Sequence, residues 1–160
     1  MKAAKILNIP VFVTTQNGAK LGATVSELQP HLAGINIVDK TYFSMWVPEI
    51  SKHFDSSKPS EVVIVGIESH VCVTQTALDL LRAGHKVYVL ADGVSSCNQQ
   101  EVPIALARLR TEGAIVTTSE GFLFECMGDA GIPEFREMSK LIKETSADTK
   151  TALGGTLSKI

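Results

Sequence analysis

Short apolar runs and helix-period segments take turns along this chain. The runs are "IPVFVTT" (Ile9–Thr15), "INIV" (Ile35–Val38), "EVVIVGI" (Glu61–Ile67), "HKVYVLA" (His85–Ala91) and "AIVTTS" (Ala114–Ser119). Most are continuously apolar rather than alternating, the pattern of strands covered on both faces. Between them, Val73–Ala83 sets Val73, Ala77, Leu80 and Leu81 on one helical face and stops at Gly84, a residue suited to a C-cap. Asn98–Thr111 groups Val102, Ala105, Leu106 and Leu109 in the same way and stops before Gly113. Further helices are predicted over Lys2–Leu7, Val47–Phe54 and Pro133–Lys143, with Pro48 and Pro133 at tolerated opening positions. Strand and helix in alternation predict a parallel α/β domain.

The chain of 160 residues suits one domain, assigned to residues 1–145. The remainder, 146–160, has little apolar periodicity and a Gly pair, and is expected to be loosely docked or mobile. The opening is unusual, because the Lys2–Leu7 helix runs straight into a strand. In a right-handed parallel unit such a helix crosses over from an earlier strand.

Composition narrows the function. Hydrophobic residues at 44% and charged residues at 20% are ordinary for a globular protein. A net charge of −2 argues against a nucleic-acid partner, which calls for clustered Lys and Arg. No apolar stretch reaches the roughly 18 residues of a membrane span. Cys72, Cys97 and Cys126 are too scattered for a disulfide framework or a metal site. A reducing, cytoplasmic setting follows as the expectation, with a mitochondrial one left open.

Cys72 is the residue that raises a chemical question. It stands where a helix pattern begins, just past a buried strand, where unpaired N–H groups and the helix dipole favour a thiolate. Ligands bind at the carboxyl ends of strands in open α/β sheets. A free cysteine is also commonly a small packing group, and position alone does not choose between the two.

"VGIESHVCV" (Val65–Val73), with "VDKTYFSMW" (Val38–Trp46) upstream, resembles the isochorismatase-like cysteine hydrolase superfamily and its isochorismatase domain-containing proteins. "IPVFVTTQN", "GHKVYVLADGVSS" and "GAIVTTSEGFLFE" extend the resemblance, in the family's order, to about the final helix. It implies a three-layer αβα sandwich around a mostly parallel open sheet, with a Cys–Lys–Asp triad. Cys72 matches the nucleophile and Lys40 the lysine beside it. The resemblance also implies a cis peptide between Ile67 and Glu68, with the backbone N–H groups of Glu68 and Cys72 as an oxyanion hole. Phe43, Trp46, Ser69 and His70 are candidates for the substrate pocket. Phe43 and Trp46 are equally placed as core or subunit contacts. His70 also suggests a Cys–His pair, although the family's residue here lines the turn. "DGVSS" (Asp92–Ser96) reads as a loop on the same rim, and Cys97 and Cys126 read as packing thiols.

The family's first strand, with the triad aspartate, has no counterpart here. That strand lies between those carrying Ile9–Thr15 and Val62–Ile67, so its absence leaves two edges facing a gap or pairing directly. Asp39 is no substitute, since it adjoins Lys40 and neighbouring strand residues point to opposite faces. Nothing sets Asp92 at the thiol. The nicotinamidase zinc ligands are missing from "TTQNGAKLGATVSEL", and His31 stands alone, so no metal and no cofactor are expected. The sequence thus predicts a homo-oligomeric hydrolase of a small amide, imide or related metabolite working through a Cys72 thioester. The alternative is an amino-terminally shortened or non-catalytic relative that binds without turnover. Nuclease activity is a weaker third reading.

Overall fold

The computed structural model describes residues 1–157. Its strands are β1 (Val13–Gln16), β2 (Ile37–Lys40), β3 (Glu61–Gly66), β4 (Lys86–Val94) and β5 (Ile115–Thr117). The helices are α1 (Lys2–Ile6), α2 (Gly18–Leu21), α3 (Pro48–Ser51), α4 (Thr74–Arg82), α5 (Glu101–Thr111), α6 (Ser119–Met127) and α7 (Phe135–Leu157). Every strand pairing is parallel. The parallel α/β class expected from the alternating pattern is therefore the observed one.

The strands divide into two sheets, β1–β2 and β3–β4–β5. Among the described residues, β1 and β3 do not pair with each other. Val65 of β3 and Ile67 just beyond it are largely exposed. Of the two outcomes expected for these edges, the structure takes the unpaired one.

The core lies on the larger sheet. Ile64 of β3 and Val87, Val89, Ala91 and Val94 of β4 pack against Val73, Ala77 and Leu80 before and along α4. Val102, Leu106 and Leu109 of α5 complete it, the stripe that the helical spacing predicts. Each fully buried aliphatic side chain of this kind stabilises the fold by about 1.5–3 kcal/mol. Aromatic rings form a second packing centre: Trp46 sits 4.9 Å from Phe54 and 5.1 Å from His85, with Phe12 5.4 Å from Phe54.

Two helices differ from the sequence reading. Helix α6 occupies Ser119–Met127, where no helix is expected, because Phe122, Leu123 and Phe124 in succession give no one-sided stripe. Its start is set by Thr118, whose side chain accepts from the Gly121 N–H. Helix α7 carries on past Lys143 to Leu157, across the boundary at residue 146. No proline interrupts this stretch, Ala147, Lys150 and Ala152 are good helix formers, and the Thr145 and Thr151 hydroxyls donate to the Leu141 and Ala147 carbonyls. The last three positions of the tail expected over 146–160 lie outside the described residues.

Candidate active site at the carboxyl ends of the strands

Strand β3 ends at Gly66, whose φ of 124° is a conformation that side chains rarely adopt. The Ile67–Glu68 peptide that follows is cis, as the resemblance implies. The chain then makes one wide π turn, Ser69–Val73, before α4 begins at Thr74. The N–H groups of Val71 and Val73 both donate to the Glu68 carbonyl at 3.1 Å, and the Thr74 hydroxyl donates to the Ser69 carbonyl at 2.7 Å. Cys72 lies within this turn and is half-buried. Among the described residues, the Glu68 N–H donates to no other group.

Lys40 is the last residue of β2 and lies opposite Gln16, the last residue of β1. It is buried, at 7% exposure. Its ammonium donates to Gln16 Oε1 at 2.7 Å, to the Tyr42 carbonyl at 2.8 Å and to the Phe43 carbonyl at 3.1 Å. Three N–H bonds thus meet three oxygens, and the burial is chemically complete. Burial nonetheless holds the Lys40 pKa below its ordinary value, while the Cys72 and Asp39 side chains act in the opposite sense. The lysine at the end of β2 and the cysteine on the turn after β3 are therefore coupled electrostatically.

A hydroxyl joins the two pieces directly. Thr76 Oγ1 accepts from the Met45 N–H at 2.9 Å and donates to the Cys72 carbonyl at 2.6 Å. The loop that wraps the Lys40 ammonium is thereby tied to the cysteine's own turn.

The other residues singled out from the sequence fall in several places. Asp39 accepts from the Thr15 hydroxyl and the Gly18 N–H, each at 2.8 Å, and those bonds hold its pKa down. Asp92 caps α6 through the Ser119 N–H and hydroxyl. Both carboxylates are thus engaged by hydroxyl and backbone N–H donors. Phe43 is exposed, and its carbonyl serves Lys40. Trp46 belongs to the aromatic cluster. Ser69 is fully buried with its hydroxyl on Ser96, and His70 Nδ1 is 3.0 Å from that same Ser96 oxygen. The Glu68 carboxylate accepts from the Cys97 N–H at 2.6 Å.

Among the described residues, no group of three His, Cys, Asp or Glu side chains could hold a metal ion, and no helix is long and apolar enough to cross a membrane. Two open concavities, of about 410 and 310 Å³, lie along α7 and include neither Cys72 nor Lys40. Thr76 and Gln16 carry no signal in the sequence. Ser96 does, faintly, as part of the rim loop "DGVSS".

These features define a parallel α/β protein with a cysteine on a strand-end turn and a buried lysine at the end of a neighbouring strand. The chain belongs to the isochorismatase family: the isochorismatase domain matches residues 1–121. It is 48% identical to the secreted isochorismatase effector Isc1 of Phytophthora sojae, over 90% of this chain and 71% of that protein. It is 42% identical to the human isochorismatase domain-containing protein 2, over 93% of this chain and 72% of that one. Among solved structures, the MAR1 ribonuclease of Caenorhabditis elegans superposes with a TM-score of 0.82 at 43% identity, covering 88% of this chain and 72% of that one.

Proposed function

We propose that the chain works as a cysteine hydrolase on a small amide, imide or related carbonyl compound. The Cys72 thiolate adds to the carbonyl carbon, and the oxyanion that forms is held by the Glu68 and Cys72 N–H groups. The C–N bond then breaks, the leaving nitrogen takes the proton that came from the thiol, and a thioester remains. Water adds to that thioester, the C–S bond breaks, and a carboxylic acid leaves as sulfur regains its proton. Lys40 acts as the fixed positive charge beside the sulfur.

One observation carries this reading: a lysine buried to 7% exposure and fully hydrogen-bonded stands in electrostatic reach of Cys72. A lysine kept only for solubility sits in water. The test is intact-mass detection of an acyl adduct on Cys72 after incubation with a panel of small amides and imides, with isochorismate as a further arm. An adduct in wild type and none in Cys72→Ala supports the reading. No adduct with any member overturns it.

Two other readings each have an observation behind them. Asp39 and Asp92 are both committed elsewhere, which favours a relative that binds without turnover. The ribonuclease name of the C. elegans structure favours RNA as substrate, which cleavage of a labelled oligonucleotide by wild type and not by Cys72→Ala would establish. We place the protein in a reducing compartment, since its three cysteines are free, and expect association between copies through exposed apolar groups such as Tyr42 and Phe43.

A further inference from the structure

Strand β4 does not run straight past β3. Ile64 pairs with Val89, but Gly66 pairs with Val94, so residues 90–93 form a bulge in which β4 gains length on its partner. The bulge closes tightly at Gly93, where an added Cβ would stand 2.9 Å from Val65 Cγ1 and 3.2 Å from Leu90 Cβ. The extra length delivers Ser95, Ser96 and Cys97 onto the turn that carries Cys72.

The contacts there are dense. The Ser95 N–H donates to the Gly66 carbonyl at 3.2 Å. The Ser69 N–H donates to the Ser95 carbonyl at 2.8 Å and is 3.1 Å from Ser96 Oγ. That hydroxyl also meets Ser69 Oγ and His70 Nδ1. On the other flank, the Cys97 N–H donates to the Glu68 carboxylate. Ser96 is buried, so three groups of the turn converge on one hydroxyl out of water.

We propose that Ser96 and the Glu68 carboxylate are positioning residues, a clamp from the β4–α5 connection that aims the Glu68 and Cys72 N–H groups at the oxyanion. This rests on the hydrolase reading above and adds to it the device that holds the oxyanion hole in place. The Glu68 side chain thereby gains a role, that of anchoring its own backbone. Preorganised donors owe their effect to orientation, so loosening the clamp costs rate even when the sulfur stays in place.

Two electrophiles separate the effects. Acylation of Cys72 by 4-nitrophenyl acetate passes through an oxyanion, whereas alkylation by iodoacetamide does not. In Ser96→Ala the acylation rate should fall by about tenfold with the alkylation rate unchanged. Glu68→Ala should show the same selective loss, and Glu68→Gln, which keeps an oxygen for the Cys97 N–H, should retain the wild-type ratio. Equal slowing of both reagents, or no change in either, overturns the clamp; should Ser96→Ala fail to fold, the Glu68 pair decides alone. Wild type that alkylates at Cys72 but never acylates would instead overturn the hydrolase reading, and the clamp with it.

Discussion

The two sheets differ sharply in what they bury. In β3–β4–β5, strand β4 alone buries Val87, Tyr88, Val89, Leu90, Ala91 and Val94. In β1–β2, every residue of β1 is only half-buried, and the one buried residue of β2 is Lys40. The larger sheet is held chiefly by apolar area, the smaller by its ladder and by polar bonds of Asp39 and Lys40. Apolar burial accounts for most of the stability of a fold, and a part poor in it opens locally first. The nucleophile candidate thus stands on the firm half and its lysine on the yielding one, with Thr76 between them.

The contrast is broken most easily in the core. Leu106→Ala empties a fully buried position and should cost about 2–5 kcal/mol in urea unfolding, whereas Val13→Ala in β1 should cost about 1 kcal/mol or less. Equal costs would mean that the sheets are equally packed. Thr76→Val comes next, at about 1–2 kcal/mol, since it strips a partner from the Met45 N–H and the Cys72 carbonyl. Hydrogen exchange sharpens that test: protection should fall over residues 41–46 and stay high in β4. Loss of protection spread evenly over the chain would show that Thr76 is not a local tie.

The smallest effect is on pH dependence. Burial sets the folded-state pKa of Lys40 below its ordinary value of 10.5, so between those two pKa values the unfolded chain binds more protons. This contribution to stability rises with pH through that window and is lost as pH falls through the folded-state pKa. The urea midpoint of wild type, measured against Lys40→Met, should therefore climb between neutral pH and the upper end of that window. A flat or falling difference would mean that the ammonium is not held out of water.

Much of this was legible because the apolar runs are long and ordered. All the strands appear where Val and Ile cluster, and their bounds moved for local reasons. Strand β1 begins at Val13 rather than Ile9, since Pro10 has no N–H to give a ladder. Cys72 stood out by its place after a strand, but Lys40 was visible only through the family resemblance, because lysine is ordinarily a solvated residue. The partners of these groups were not legible. Ser96 reaches Ser69 across 27 residues only because β4 bulges, and no periodicity encodes a bulge. The ring partner of Trp46 and the hydroxyl partner of Ser69, two pocket candidates, likewise carry no signal in the sequence.

The account depends on one electrostatic pairing across the seam between the sheets. Its most direct test is the rate of iodoacetamide alkylation of each cysteine at neutral pH, read by peptide mass spectrometry in wild type and Lys40→Met. Removing the ammonium should slow Cys72 by about tenfold and leave the exposed Cys97 unchanged. An unaltered Cys72 rate would contradict the pairing.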